Sequence, residues 1–157
     1  MNIFYEQSGH GSDVVLVHGW GSHGGVWTEI ARELAKDFRV TVPDLPGHGR
    51  SRDFAPEAFT PEAMAEQIRQ WLSGPAIWVG WSMGGLVALA AAQQLARAVS
   101  GLALVNATPK YVQSPDWPHA MPPAVLEQFA QNLEQDYVGT IERFLTLQTA
   151  GDDRTVL

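Results

Sequence analysis

The sharpest chemistry in the chain lies in Gly80-Trp81-Ser82-Met83-Gly84. A serine hydroxyl is a poor nucleophile unless its surroundings activate it. The G-x-S-x-G spelling is short, and its context gives it weight. It follows the apolar run Ala76-Ile77-Trp78-Val79 and precedes an alanine-rich helical stretch predicted over Met83 to Ala98. A serine at such a strand-to-helix junction stands on a strained turn that only very small neighbours tolerate. The helix beginning directly after it aims its free amides at the reacting oxygen. The bland alternative is a tight turn with an incidental serine.

A second group, His18-Gly19-Trp20-Gly21, follows Val14-Val15-Leu16-Val17. Glycines in such a loop let the backbone approach a ligand closely. The Trp20 amide is a candidate to join the Met83 amide in an oxyanion hole, where losing one donor costs about 10²–10³ in rate. His18 suggests a catalytic base, but a loop-anchoring hydrogen bond is the better reading. Trp20 and Trp81 either wall a pocket beside the serine or pack as core. A third group, Asp44-Leu45-Pro46-Gly47-His48-Gly49-Arg50-Ser51, follows Phe38-Arg39-Val40-Thr41-Val42. Asp44 and His48 are triad-type residues. Their place in a Gly/Pro-rich turn after a different strand argues for a structural loop.

These groups need elements to hold them. Ile3-Phe4-Tyr5 reads as an opening strand, and the β-branched run Val14–Val17 as a strand buried on both faces. Val26, Trp27, Ile30, Ala31 and Leu34 recur at helical spacing. Thr60-Pro61-Glu62 has the form of an N-cap, a first-turn proline and an acid at the positive helix end, ahead of the stripe Met64, Ile68, Trp71, Leu72. Ala76–Val79 and Leu102-Ala103-Leu104-Val105 are further buried strands. Strands alternating with helices predict an α/β fold with a mostly parallel sheet flanked by helices.

After Val105 the pattern changes. Pro109, Pro115, Pro118, Pro122 and Pro123 crowd into fifteen residues. Two amphipathic patterns follow, Val125, Leu126, Phe129, Leu133 and Tyr137, Ile141, Phe144, Leu145, Gln148. Residues 1–109 are therefore expected to hold the core, and 110–157 a helical excursion: a cap, or an ordinary pair of surface helices.

Composition narrows the function classes. The 157 residues are 45% hydrophobic and 17% charged, a globular balance. The net charge of −7 argues against nucleic-acid binding. With no cysteine, disulfides, thiolate metal sites and a cysteine nucleophile are out. His10, His18, His23, His48 and His119 lack ligand spacing on one element, so no metal is expected. No P-loop or dinucleotide fingerprint occurs, so no cofactor is expected. The N-terminus lacks the form of a signal peptide. Ser73 to Ala96 is uncharged and long enough to span a bilayer, but Pro75, Gly80, Gly84 and Gly85 punctuate it as strand, turn and buried helix.

The three groups, in this order and spacing, resemble the α/β-hydrolase family. The fuller spelling Trp78-Val79-Gly80-Trp81-Ser82-Met83-Gly84-Gly85-Leu86-Val87, with Ile141-Glu142-Arg143-Phe144-Leu145-Thr146-Leu147-Gln148, resembles its pimeloyl-acyl-carrier-protein methyl ester esterases. The similarity runs to about Ala150. It implies a cytoplasmic serine carboxylesterase of biotin synthesis, monomeric at full length, whose partner is acyl carrier protein bearing a pimeloyl methyl ester. It also implies Ser82 as nucleophile, Trp20 and Met83 as oxyanion donors, and Phe144, Leu145, Thr146, Leu147 and Gln148 lining an acyl channel. Arg143 is the candidate carrier contact, although residues 110–157 carry a net −4, a poor match for an acidic carrier.

The resemblance also exposes a gap. The family's acid and histidine follow the serine. Here the only later histidine is His119, in the proline-rich stretch with no strand before it. The triad acid and base are therefore expected to be missing, as in the N-terminal part of a longer enzyme lacking roughly 60 residues or more, at about 30 per βα unit. Negligible turnover is expected of these residues alone. The alternatives are a broad short-acyl esterase, a carbon–carbon hydrolase of the same fold, or a non-catalytic acyl-binding remnant.

Overall fold

A computed structural model of the chain describes residues 3–53, 57 and 59–149. They fall into two compact units, Met1–Pro109 and Lys110–Leu157. The first is a five-stranded sheet: β1 (Tyr5–Ser8), β2 (Ser12–Val17), β3 (Phe38–Pro43), β4 (Ala76–Trp81) and β5 (Val99–Val105), in the order β1-β3-β2-β4-β5. Its helices are α1 (Thr28–Leu34), α2 (Pro61–Arg69) and α3 (Met83–Gln94).

Side-chain alternation along β2 builds the core. Val15 and Val17 join Met64, Ile68, Trp78, Val87, Ala88 and Ala91 on the face covered by α2 and α3. Val14 and Leu16 join Trp27, Val40 and Val42 on the other face, with Ala31 and Leu34 of α1 against them. All four β2 residues are buried, as a β-branched run in a parallel sheet requires. β4 shows the same two-residue period: Ala76 and Trp78 are buried, while Ile77, Val79 and Trp81 are half-buried on the face that α1 covers only in part. The α2 start follows its sequence signal. Thr60 Oγ1 accepts the Ala63 amide at 3.2 Å, and Pro61 takes the first helical position.

Three expectations need correction. The first strand lies at Tyr5–Ser8 and pairs antiparallel with β3, Tyr5 opposite Pro43 and Ser8 opposite Val40. It is an exposed edge of a mixed sheet, so burial could not mark it. β5 is not a buried strand. Leu102, Leu104 and Val105 are 40–42% exposed, because β5 pairs only with β4 among the described residues. The helix after Ser82 stops at Gln94, where Leu95 leaves helical geometry, and a short 3-10 turn at Ala96–Ala98 feeds β5.

The second unit contains α4 (Pro123–Gln135) and α5 (Tyr137–Thr149). Asp136 sits between them and accepts the Gly139 amide at 2.9 Å. Thr140 is buried, with its hydroxyl donating to Asn132 O, and the Phe129 and Phe144 rings lie 5.8 Å apart. Among the described residues no helix is long and apolar enough to cross a membrane.

Candidate active site

Ser82 joins β4 to α3 with φ 52° and ψ −119°. A side chain rarely adopts this left-handed region, and such strain persists only where the surroundings enforce it. Two backbone bonds do so: the Ser82 amide donates to Val105 O at 2.9 Å, and the Gly85 amide donates to Ser82 O at 2.8 Å. The glycines on either side are sterically required. A Cβ at Gly80 would run into Gly84 and Gly85 backbone, and one at Gly84 into the Val17 and His18 carbonyls. Ser82 is half-buried, and its side chain has no cap bond to α3. Met83 opens α3, where an amide has no partner within the helix.

The His18–Gly24 loop lies against this turn. A Cβ built on Gly19 would stand 3.1 Å from Ser82 Cβ and 3.3 Å from the Trp81 ring. Trp20, the next residue, is half-buried. Trp81 also packs on the Val14–Leu16–Val40 cluster, so it serves the core as well as the site.

His18 is fully buried and holds the loop. Its Nε2 accepts the Leu45 amide at 2.9 Å, leaving Nδ1–H to donate to Gly19 O at 2.8 Å. Burial is the main cause pushing its pKa down to about 4, so the ring is neutral at pH 7. Asp44, also fully buried, accepts the Gly24 amide at 2.7 Å and the Arg50 amide and Nε at 2.9 and 2.8 Å. Burial pushes its carboxyl up, but the Arg50 and Gly24 hydrogen bonds outweigh this and hold it below the usual range. His48 Nδ1 lies 2.9 Å from Pro46 O. Asp44 and His48 thus form a structural loop, as their sequence setting suggested.

Among the described residues no imidazole is hydrogen-bonded to Ser82. His18 is fully engaged, His23 Nδ1 accepts the Gly25 amide, and His119 is an exposed residue of the second unit, edge-on to Trp117. No group of potential metal ligands occurs among them either. A cleft between Arg69 and Arg97 opens at the start of β4 and β5, away from Ser82.

The expected cap residues share α5. Phe144 is half-buried, whereas Leu145, Thr146, Leu147 and Gln148 are exposed. At about 100° per residue, Phe144, Leu147 and Gln148 share one helix face, while Leu145 and Thr146 turn away from it. Arg143 Nη2 meets Thr140 Oγ1 at 2.9 Å and Asp136 at 3.4 Å. Sequence reasoning missed the support behind the serine. The Val105 carbonyl that holds it is followed by Asn106 at φ 45°, a residue type that tolerates this region but does not announce it.

Residues 14–155 match the sequence model of the alpha/beta hydrolase family. The chain belongs to that family. Among the similar alpha/beta hydrolases, a Stenotrophomonas maltophilia protein named pimeloyl-[acyl-carrier protein] methyl ester esterase is 47% identical over 149 residues, 93% of this chain and 55% of its own. A protein of the same name from Nitrosomonas europaea is 43% identical over 97% of this chain and 60% of its own. The solved esterase from Exiguobacterium antarcticum superimposes with a TM-score of 0.81 at 26% identity, covering 90% of this chain and 55% of that one. The chain spans about half the length of the curated relatives it matches.

Proposed function

We propose that this chain carries the nucleophile half of a serine carboxylesterase that removes the methyl group from a pimeloyl thioester on acyl carrier protein. The observation that carries the reading is Ser82 at φ 52° on the strand-to-helix turn. The names of relatives at 43–47% identity support the substrate class. Ser82 Oγ attacks the ester carbonyl, and the oxyanion that forms takes hydrogen bonds from the Met83 and Trp20 amides. Methanol leaves, and water then releases the acid from the acyl-serine. In this reading the α5 face of Phe144, Leu147 and Gln148 is the one that lines the acyl channel, and Arg143 meets the carrier. A cytoplasmic, monomeric enzyme goes with this reading.

The proton of Ser82 needs a base that none of the described imidazoles supplies. Residues 1–157 alone are therefore expected to show negligible ester turnover. Binding and oxyanion donors by themselves leave only about 10³–10⁴ over water.

The experiment compares hydrolysis of the carrier-bound pimeloyl methyl ester with that of a small chromogenic ester, using the protein at full natural length. Faster turnover of the carrier-bound ester, abolished by Ser82→Ala, is expected. Preference for the free small ester would move the reading to a broad esterase. Activity surviving Ser82→Ala, or no fluorophosphonate labelling at Ser82, would overturn it.

A further inference from the structure

We infer that the cleft at the start of β4 and β5, flanked by Arg69 and Arg97, binds the phosphate group of a small organic phosphomonoester. The site lies apart from the serine turn and does not depend on the esterase reading. Ser82 follows the far end of β4, whose six residues span about 20 Å at 3.3 Å each.

Most cationic side chains of the chain are already engaged. Arg32, Lys36, Arg39, Arg50, Lys110 and Arg143 each pair with a carboxylate, and Arg52 Nε donates to Gly49 O. Among the described residues, Arg69 and Arg97 are the lysine or arginine side chains left with neither a hydrogen bond nor an ion pair. They come from different elements: Arg69 ends α2, and Arg97 lies in the 3-10 turn before β5. Yet both line one cleft of about 460 Å³. Arg69 is half-buried there, with its donors unmet. In a chain of net charge −7, two unmatched guanidinium groups sharing a concave site form a local anion trap.

The walls are set before any ligand arrives, which lowers the cost of binding. On the α2–β4 side, the Ser73 and Gly74 amides donate to Asp13 Oδ2 at 2.9 and 3.3 Å. Arg39 Nε and Nη2 meet the same carboxylate at 2.6 and 2.8 Å, so its charge is balanced and does not repel an anion. On the α3–β5 side, the Leu95 amide donates to Ala91 O at 2.8 Å and the Ala98 amide to Leu95 O at 2.6 Å. Pro75 and Leu95 add apolar surface for an organic body, and the volume suits a small molecule rather than a bare ion. A carboxylate is filled by one guanidinium fork. A phosphomonoester has three terminal oxygens and nearly two charges, so it can take both forks.

The test titrates full-length protein with phenyl phosphate, inorganic phosphate and benzoate, followed by backbone amide shifts and calorimetry. Phenyl phosphate is expected to shift the amides of residues 74 and 95–98 saturably and to leave those of Val14–Val17 in place. Inorganic phosphate and benzoate should each bind at least about fivefold more weakly. Arg69→Gln and Arg97→Gln should each weaken phenyl phosphate about 10-fold. Gly74→Leu should block it with both charges kept, because a Cβ at Gly74 meets no atom within 4 Å and the side chain enters open space. If an arginine variant does not fold, Gly74→Leu decides. No saturable shift at these amides, equal binding of the three probes, or unchanged binding in Gly74→Leu overturns the site. So does a double arginine variant that loses stability but not affinity, since the two cations would then serve only the negative end of α3.

Discussion

At the scale of single residues, the site depends on missing Cβ atoms and on neutral, occupied side chains. Gly84 is tight against the Val17 and His18 carbonyls, which are backbone and cannot swing away. Gly84→Ala is expected to destabilise the chain by about 1–3 kcal/mol and to displace the serine turn, checked by urea denaturation and fluorophosphonate labelling. His18 gives a pH signature. Its pKa is lowered from 6.5 to about 4 on folding, so the unfolded chain takes up the proton first as pH falls. Its contribution to stability is complete above about pH 6.5, falls through the window below, and is gone below about pH 4, on the order of 3 kcal/mol in all. Denaturation midpoints measured from pH 7 to pH 4 should drop accordingly, and His18→Phe should flatten that part of the curve.

At the scale of elements, local signals read well where local forces decide. Thr60, Pro61 and Glu62 mark the start of α2 because a capping oxygen, a fixed φ and a charge at the helix dipole all act within one turn. Thr60→Ala is expected to cost about 1 kcal/mol, read as a shift in denaturation midpoint with an unchanged slope. The end of α3 was not legible. Nothing in Leu95-Ala96-Arg97-Ala98 breaks a helix, yet the chain leaves it at Leu95 to bring β5 alongside β4. The antiparallel placement of β1 was equally hidden, since Tyr5–Ser8 is exposed along its length.

At the scale of the whole molecule, β5 is an edge of the sheet among the described residues, and Leu102, Leu104 and Val105 are 40–42% exposed along it. An apolar edge strand with open backbone groups is a template for pairing with another chain. Residues 1–157 alone are expected to self-associate with rising concentration in sedimentation velocity, and the double substitution Leu102→Lys, Leu104→Lys should shift the distribution toward monomer. A monomer at all concentrations for the unsubstituted chain would contradict this.

The alternation of strands and helices, the two-faced burial of Val14–Val17, and a serine at position 82 on a glycine-flanked turn between strand and helix are all legible in the order of residues. Each follows from periodicity, side-chain size or turn composition within a few positions. Tertiary structure alone decided which side chains serve one another. That His18 reaches Leu45, that Asp44 takes the Gly24 amide, and that Val105 holds Ser82 depend on segments 20 or more residues apart being laid side by side. A buried hydrogen bond carries no local sequence mark, because its partner is chosen by sheet order and register.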